Sequence, residues 1–315
     1  MAQPTNTFDT YDAVGIREDL QDVIYSIAPT DTPFMSSAAR EAVKNTLHEW
    51  QTDALAAAAT NNAVIEGDEA GLDAVVATAR IGNYTQIMDK TVVITGTQEA
   101  VDKAGRASEL AYQIAKKSKE LKRDIEATLL TNQARAAGNA TTARTFASVG
   151  AWIATNDALG ASGTSPTAAD GSDARNDGTQ RALTEDLLKT VIKGCWNSGG
   201  SPSVIMVGPF NKQKISSFTG GSTRFDASED KTLYTSIDVY SSDFGDLEVV
   251  PNRFSRDRDA LVLDMDYWSV GFLRDFTMNE LSKTGDSEKR QLLTELTLIS
   301  RSEAASGGVF DLTTA

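Results

Sequence analysis

The chain has 315 residues, 40% hydrophobic and 23% charged, the balance of a globular protein with room for about two cores. Its net charge of −14, from 44 acidic and 30 basic residues, argues against tight nucleic-acid binding, which needs a basic excess to displace counterions. No apolar run approaches the roughly 18 residues of a bilayer span, and the start "MAQPTNTFDTYDAVG" lacks the basic and apolar regions of a signal peptide, so the reading is an intracellular product with no membrane partner.

Residues 1–45 read as an extended arm with one short amphipathic helix, "REDLQDVIYSIA", in which Leu20, Val23, Ile24 and Ile27 share a face. "PTDTP" ends it, because Pro29 and Pro33 disfavour helix before them. Such an arm cannot bury itself and must lie on the body or on another chain. In residues 46–95, "TLHEWQTDAL" predicts a polar strand and "VVATARIGNYTQIMDKTVVIT" one or two more. Between them, "AAAATNNAVIEGDEAGLDA" holds small residues and the acids Glu66, Asp68 and Glu69. A two-stranded excursion with so little core of its own needs an outside surface.

A long helix is predicted over about 97–137, with Thr97 and Glu99 at its start, Gly105 as a kink or a later true start, and Gly138 as the left-handed residue past its end. Leu110, Ile114, Leu121, Ile125 and Leu129 form one narrow apolar stripe. From Val101 to Arg135 the helix would span about 50 Å at 1.5 Å per residue, the length of a strut. Gly105–Arg135 carries seven basic and four acidic residues, net +3, which leaves −17 on the rest. Residues 138–182 are loop by composition apart from a strand at "FASVGAWIAT".

From Leu183 a compact α/β pattern follows. "TEDLLKTVIKGCWNSGG" predicts a helix capped at Thr184, "SVIMVG" a buried strand, and "PFNKQKISSF" a second helix with Pro209 in its first turn. "TSIDVYSSDFGDLEVVPN" predicts a strand pair, "ALVLDMDYWSVGFL" one further strand, and "RDFTMNELSKTGDSEKRQLLTELTLISRS" two long strands around "TGDSE".

Chemistry is thinly represented. Cys195 is the only cysteine and His48 the only histidine, so one chain has no internal disulfide and no Cys/His zinc site. His48 has no identifiable nucleophile or elbow motif to serve, and Cys195 reads as a small packed side chain. Asp264 and Asp266 would share a strand face, as a Mg²⁺- or Mn²⁺-binding pair would, yet strand faces alternate this way in any case. "DARNDG" departs from a calcium loop at Arg175 and Thr184 and reads as a flexible acidic loop. Lys116, Lys117, Lys119, Lys122 and Arg123 could face phosphates, but read better as a solvated face paired with acids, Lys122 with Glu126 included.

Taken together, the arm segment "IREDLQDVIYSIAPTDTPFMSSA", the hairpin, "ELAYQIAKKSKELKRDIEATLL" and "TGDSEKRQLLTELTLISRSEAASGGVFDL" resemble tailed-phage major capsid proteins, nearest to the SU-ten-like group. The resemblance implies an α+β chain of the Hong Kong ninety-seven capsid fold. Residues 1–45 would be the N-terminal arm and 46–95 the extended loop over a neighbouring subunit. Residues 96–182 would be the peripheral domain with a spine helix (about 97–137) and a flexible insertion (about 156–182), 183–267 the axial domain, and 268–315 the return strands of the peripheral domain. It implies a non-enzymatic virion protein without cofactors, assembled in the bacterial host cytoplasm into pentamers and hexamers around double-stranded DNA. A separate scaffolding protein, a portal and decoration proteins are the implied partners. No covalent crosslink is expected, and negative charge should predominate on the inner surface. Glu66, Asp68, Glu69, Lys116, Lys119, Lys122 and Arg123 are the candidate intersubunit contacts. The alternatives are a metal-dependent α/β enzyme using Asp264 and Asp266, or a nucleic-acid binder using Lys116–Arg123.

Overall fold

The computed structural model describes residues 31–67, 69, 71, 74–103, 105, 107–218 and 238–314. The amphipathic arm helix and Asp68 lie outside the described residues. In chain order the elements are α1 (Pro33–Ser37), β1 (Ala39–Ala42), β2 (Leu47–Thr52), β3 (Ala79–Tyr84), β4 (Gln86–Thr95), α2 (Gly96–Ala100), α3 (Glu109–Leu129), α4 (Val149–Trp152) and β5 (Asp157–Ala158). They continue with α5 (Glu185–Asn197), β6 (Val204–Val207), α6 (Pro209–Ser216), β7 (Val239–Ser242), β8 (Gly245–Pro251), β9 (Ala260–Leu263), β10 (Trp268–Leu281), β11 (Ser287–Ser300) and β12 (Gly307–Val309).

Two sheets carry the body. A four-stranded sheet runs β1-β10-β11-β4, with α3 against β4 and β11. A six-stranded sheet runs β5-β12-β9-β6-β8-β7, with α5 against β12. Strand alternation explains the continuous apolar run at β6: Ile205 and Val207 enter the core beneath α5, whereas Met206 faces the core of α3. Leu261 and Leu263 divide from Ala260 and Val262 in the same way, so β9 is buried on both faces. The core of α3 is built around Phe34, Leu121, Ile125, Leu129, Trp152 and Trp268, all at most 1% exposed.

Four expectations need correcting. The long helix is not continuous: α2 ends at Ala100, and α3 covers Glu109–Leu129, about 31 Å at 1.5 Å per residue. The Ser108 hydroxyl accepts from Ala111 N (3.2 Å) and the Glu99 carboxylate from Glu109 N (3.0 Å) and Leu110 N (3.3 Å), which together cap the second start. Past Leu130 the backbone is taken over by long-range partners. Ser148 Oγ donates to Thr131 O (2.6 Å) and accepts from Gln133 N (2.7 Å), while Asn132 exchanges two bonds with the Arg175 backbone (2.6 and 3.1 Å). Gly138 is left-handed (φ 68°), but it turns the hairpin bridged by Ala136 and Thr145 rather than closing a helix.

"FASVGAWIAT" holds the one-turn helix α4 in place of a strand; residues 146–152 are all buried, and a short apolar run reads alike in either form. "ALVLDMDYWSVGFL" is two strands in different sheets, β9 and β10, separated by a 3₁₀ turn at Met265–Tyr267. Finally, the expected flexible insertion at 156–182 is pinned. Asp311 accepts from Gly160 N (3.0 Å), Gly178 N (2.8 Å) and Arg258 Nη2 (2.7 Å), and fully buried Arg175 lies 3.2 Å from the centroid of the Phe310 ring.

Candidate intersubunit surfaces

β2 and β3 form a separate ribbon, paired from Leu47↔Tyr84 to Thr52↔Ala79. Its root is fixed to the body. Buried Asn83 donates to Ala147 O (3.1 Å) and Leu298 O (2.7 Å) and accepts from Ala147 N (2.8 Å), while Trp50 stacks 5.6 Å from Trp152. His48 packs 5.6 Å from Trp50, a side chain of the ribbon root. Beyond the ribbon, every described residue from Asp53 to Thr78 is exposed. Leu55 is 100% exposed, Val75 98%, Val64 85%, Val76 81% and Ile65 78%. A monomer leaves single aliphatic residues at its surface, but five this bare on one segment mark a surface made to be covered. Glu66 stands at the turn of this excursion and Glu69 just beyond it, both exposed.

On α3, Lys116, Lys119 and Lys122 recur every three residues along an exposed flank. Lys117 instead pairs with Glu120 at 2.6 Å, and Asp124 with Lys90 of β4 at 2.5 Å. Arg123 turns inward, its guanidinium 5.4 Å from the Phe254 ring centroid. The basic run is therefore three exposed lysines rather than a five-residue phosphate patch.

The expected Lys122–Glu126 pair does not form. Glu126 points inward, 0% exposed, and accepts from Phe34 N (2.8 Å), Met35 N (2.9 Å) and Asn252 Nδ2 (2.6 Å). Burial pushes its carboxyl above the ordinary range, against the pull of those three bonds. The sequence offered only a weak sign of this: Glu126 adjoins the apolar stripe at Ile125, where either side of the helix was open to it.

The other candidate chemistry is absorbed by structure. Asp264 is not half of a strand-face pair; Oδ2 accepts from Ser201 N (3.0 Å) and Oδ1 from Asp266 N (3.3 Å), capping the turn between the sheets, and Asp266 is exposed. In "DARNDG", Asp173 accepts from Thr167 N (2.8 Å), and Asp177 holds Arg256 (2.6 Å) and Arg258 (3.2 Å). Cys195 is fully buried on the inner face of α5, and that burial pushes its thiol up to about 12.

The comparisons with known proteins agree with one another. The SU10 major capsid protein family model matches residues 3–313. The major capsid protein of Escherichia phage Phieco32 is 42% identical over 135 residues, which span 43% of this chain and 38% of that protein. Among solved structures, the Cyanophage A-1(L) capsid asymmetric unit matches with TM-score 0.66 at 13% identity, over 98% of this chain and 99% of that one. Gordonia phage Cozz matches with TM-score 0.62 at 11% identity, over 99% and 98%. The structure of Phage G gp27 major capsid proteins and gp26 decoration proteins matches with TM-score 0.56 at 12% identity, over 99% and 100%. The structural likenesses show a shared mixed α and β fold, and the family match runs over nearly the whole length: this chain belongs to the SU10 major capsid protein family.

Proposed function

We propose that this chain is the major capsid protein of a tailed phage, a structural subunit whose copies close into an icosahedral head of pentamers and hexamers around double-stranded DNA. The observation that carries the reading is the excursion whose described residues between 53 and 78 are all bare of cover, on a body whose two cores are formed without them. A second copy is the natural cover, since a closed assembly presents the same surface many times and adds weak contacts together. In this reading, the ribbon and excursion are the extended loop of the Hong Kong ninety-seven arrangement. The four-stranded sheet with α3 belongs to the peripheral domain and the six-stranded sheet to the axial one, so β4 leaves the expected 46–95 loop, and β5 and β12 leave the expected peripheral segments 96–182 and 268–315. Residues 1–45 are the N-terminal arm, of which α1 and β1 lie on the body. Glu66, Asp68 and Glu69 on one copy, and Lys116, Lys119 and Lys122 on another, are contact candidates; Arg123, turned onto Phe254, is set aside. A scaffolding protein, a portal and decoration proteins complete the partners.

The test is sedimentation and electron microscopy of the purified protein beside a variant with Leu55, Val64, Ile65, Val75 and Val76 replaced by serine. Wild type should form closed shells, with scaffold where needed. The variant should keep its thermal transition, because those side chains are bare in the subunit, and should remain unassembled. Shells from the variant, or monodisperse monomers from wild type with scaffold present, would overturn the proposal.

A further inference from the structure

Glu126 occupies a position that packing alone would give to an apolar residue, between Ile125 and Leu129 on the buried face of α3. A buried carboxylate is costly unless fully hydrogen-bonded, and the three bonds it accepts come from two other parts of the chain. Phe34 N and Met35 N belong to the first turn of α1, the five-residue helix through which the arm joins the body. A helix that short is not stable by itself, so its direction is set by what holds it. Phe34 seats edge-on against Trp268, 6.4 Å between centroids, and Glu126 caps its amides.

The third donor, Asn252, stands just past β8 of the six-stranded sheet and is 1% exposed. Its own N–H donates to Val207 O (2.9 Å) and its Oδ1 accepts from Phe254 N (2.8 Å), which fixes it to that sheet. Glu126 Oε1 accepts from both Phe34 N and Asn252 Nδ2, so a single oxygen joins the arm to the six-stranded sheet across α3.

We infer that Glu126 is a positioning residue for assembly: it sets the direction in which the arm leaves the body and couples that direction to the six-stranded sheet. This rests on the reading of the chain as a shell subunit. Loss of the joint should leave the two cores folded and free α1, so that subunits meet with a variable arm and build shells of mixed size.

The experiment is hydrogen exchange by mass spectrometry on wild type, Glu126→Gln and Asn252→Ala, with electron microscopy of the particles each forms. Glutamine keeps the volume but sets an NH₂ against an N–H donor; Asn252→Ala removes the bond from the sheet side, together with the asparagine's contacts to Phe254 N and Met206 Sδ, and leaves both α1 amides on Glu126. In both variants the amides of 34–38 should exchange about tenfold faster while those of β9 and β11 keep wild-type rates, and particle diameters should broaden. Three results would overturn the joint: unchanged exchange at 34–38 in Asn252→Ala, a rise spread over all amides in Glu126→Gln, or uniform wild-type particles despite a released α1. A wild type that forms no shells would instead count against the capsid reading, and the exchange data would still decide whether Asn252 and α1 are coupled.

Discussion

Asp311 is the side chain on which the 157–182 segment depends, and replacing it separates two costs. It is fully buried and left-handed, φ 61°, a conformation that Asp and Asn tolerate better than other L-residues apart from Gly. Oδ1 takes Gly178 N and Arg258 Nη2, Oδ2 takes Gly160 N, and the backbone carbonyl accepts from Arg181 N at 2.7 Å. In Asp311→Asn the amide oxygen can keep the first two bonds, but the NH₂ then meets Gly160 N–H donor to donor. One orphaned buried donor and a weakened ion pair amount to about 1–3 kcal/mol. Asp311→Ala loses all three side-chain bonds and adds the left-handed penalty of about 1–2 kcal/mol, for a total of about 4–7 kcal/mol. That is a large part of the ordinary stability of a domain, about 5–15 kcal/mol. Guanidinium unfolding of unassembled subunits gives the totals, and hydrogen exchange shows whether the loss begins in 157–182. An alanine variant within about 1 kcal/mol of wild type, or an asparagine variant as damaged as alanine, would refute this reasoning.

Two further outcomes follow from the same contacts. Glu295 is 3% exposed; burial pushes its carboxyl up, but bonds from Thr85 (2.7 Å) and Arg274 (2.8 Å) and the charges of Arg274 and Arg144 outweigh it, leaving it below the ordinary range. A lowered folded-state value makes its contribution complete above the ordinary carboxylate range and lost as pH falls through the folded value. Glu295→Gln should therefore flatten the acid side of a plot of melting temperature against pH, and an unchanged acid limb would contradict this. Gly138→Ala places a methyl 2.7 Å from Arg144 N and 2.8 Å from Thr142 O in a left-handed residue. It should cost about 1–2 kcal/mol in thermal unfolding, whereas a glycine that merely followed an exposed helix end would show less.

Several elements were legible because their partners are close in the chain. The β10–β11 hairpin about "TGDSE", the α5–β6–α6 unit and the bareness of the described residues of "AAAATNNAVIEGDEAGLDA" follow from alternation, caps and composition within a few residues. The exposed lysines of α3 were legible for the same reason. The length of α3 was not: "TNQARAA" has helix-forming residues, yet Ser148 and the Arg175 backbone claim Thr131, Asn132 and Gln133 from 15 to 43 positions away. Propensity is a weak prior against such contacts.

Sequence by itself determined the family likeness, the mixed α and β composition and the uncovered excursion. Tertiary structure decided where the strut ends, that "ALVLDMDYWSVGFL" passes from one sheet to the other at Asp264, and that Glu126 faces inward. The physical reason is range. The donors to Glu126 come from 91, 92 and 126 positions away, and no local pattern of apolar and polar residues encodes a bond whose two ends meet only once both sheets have packed on α3.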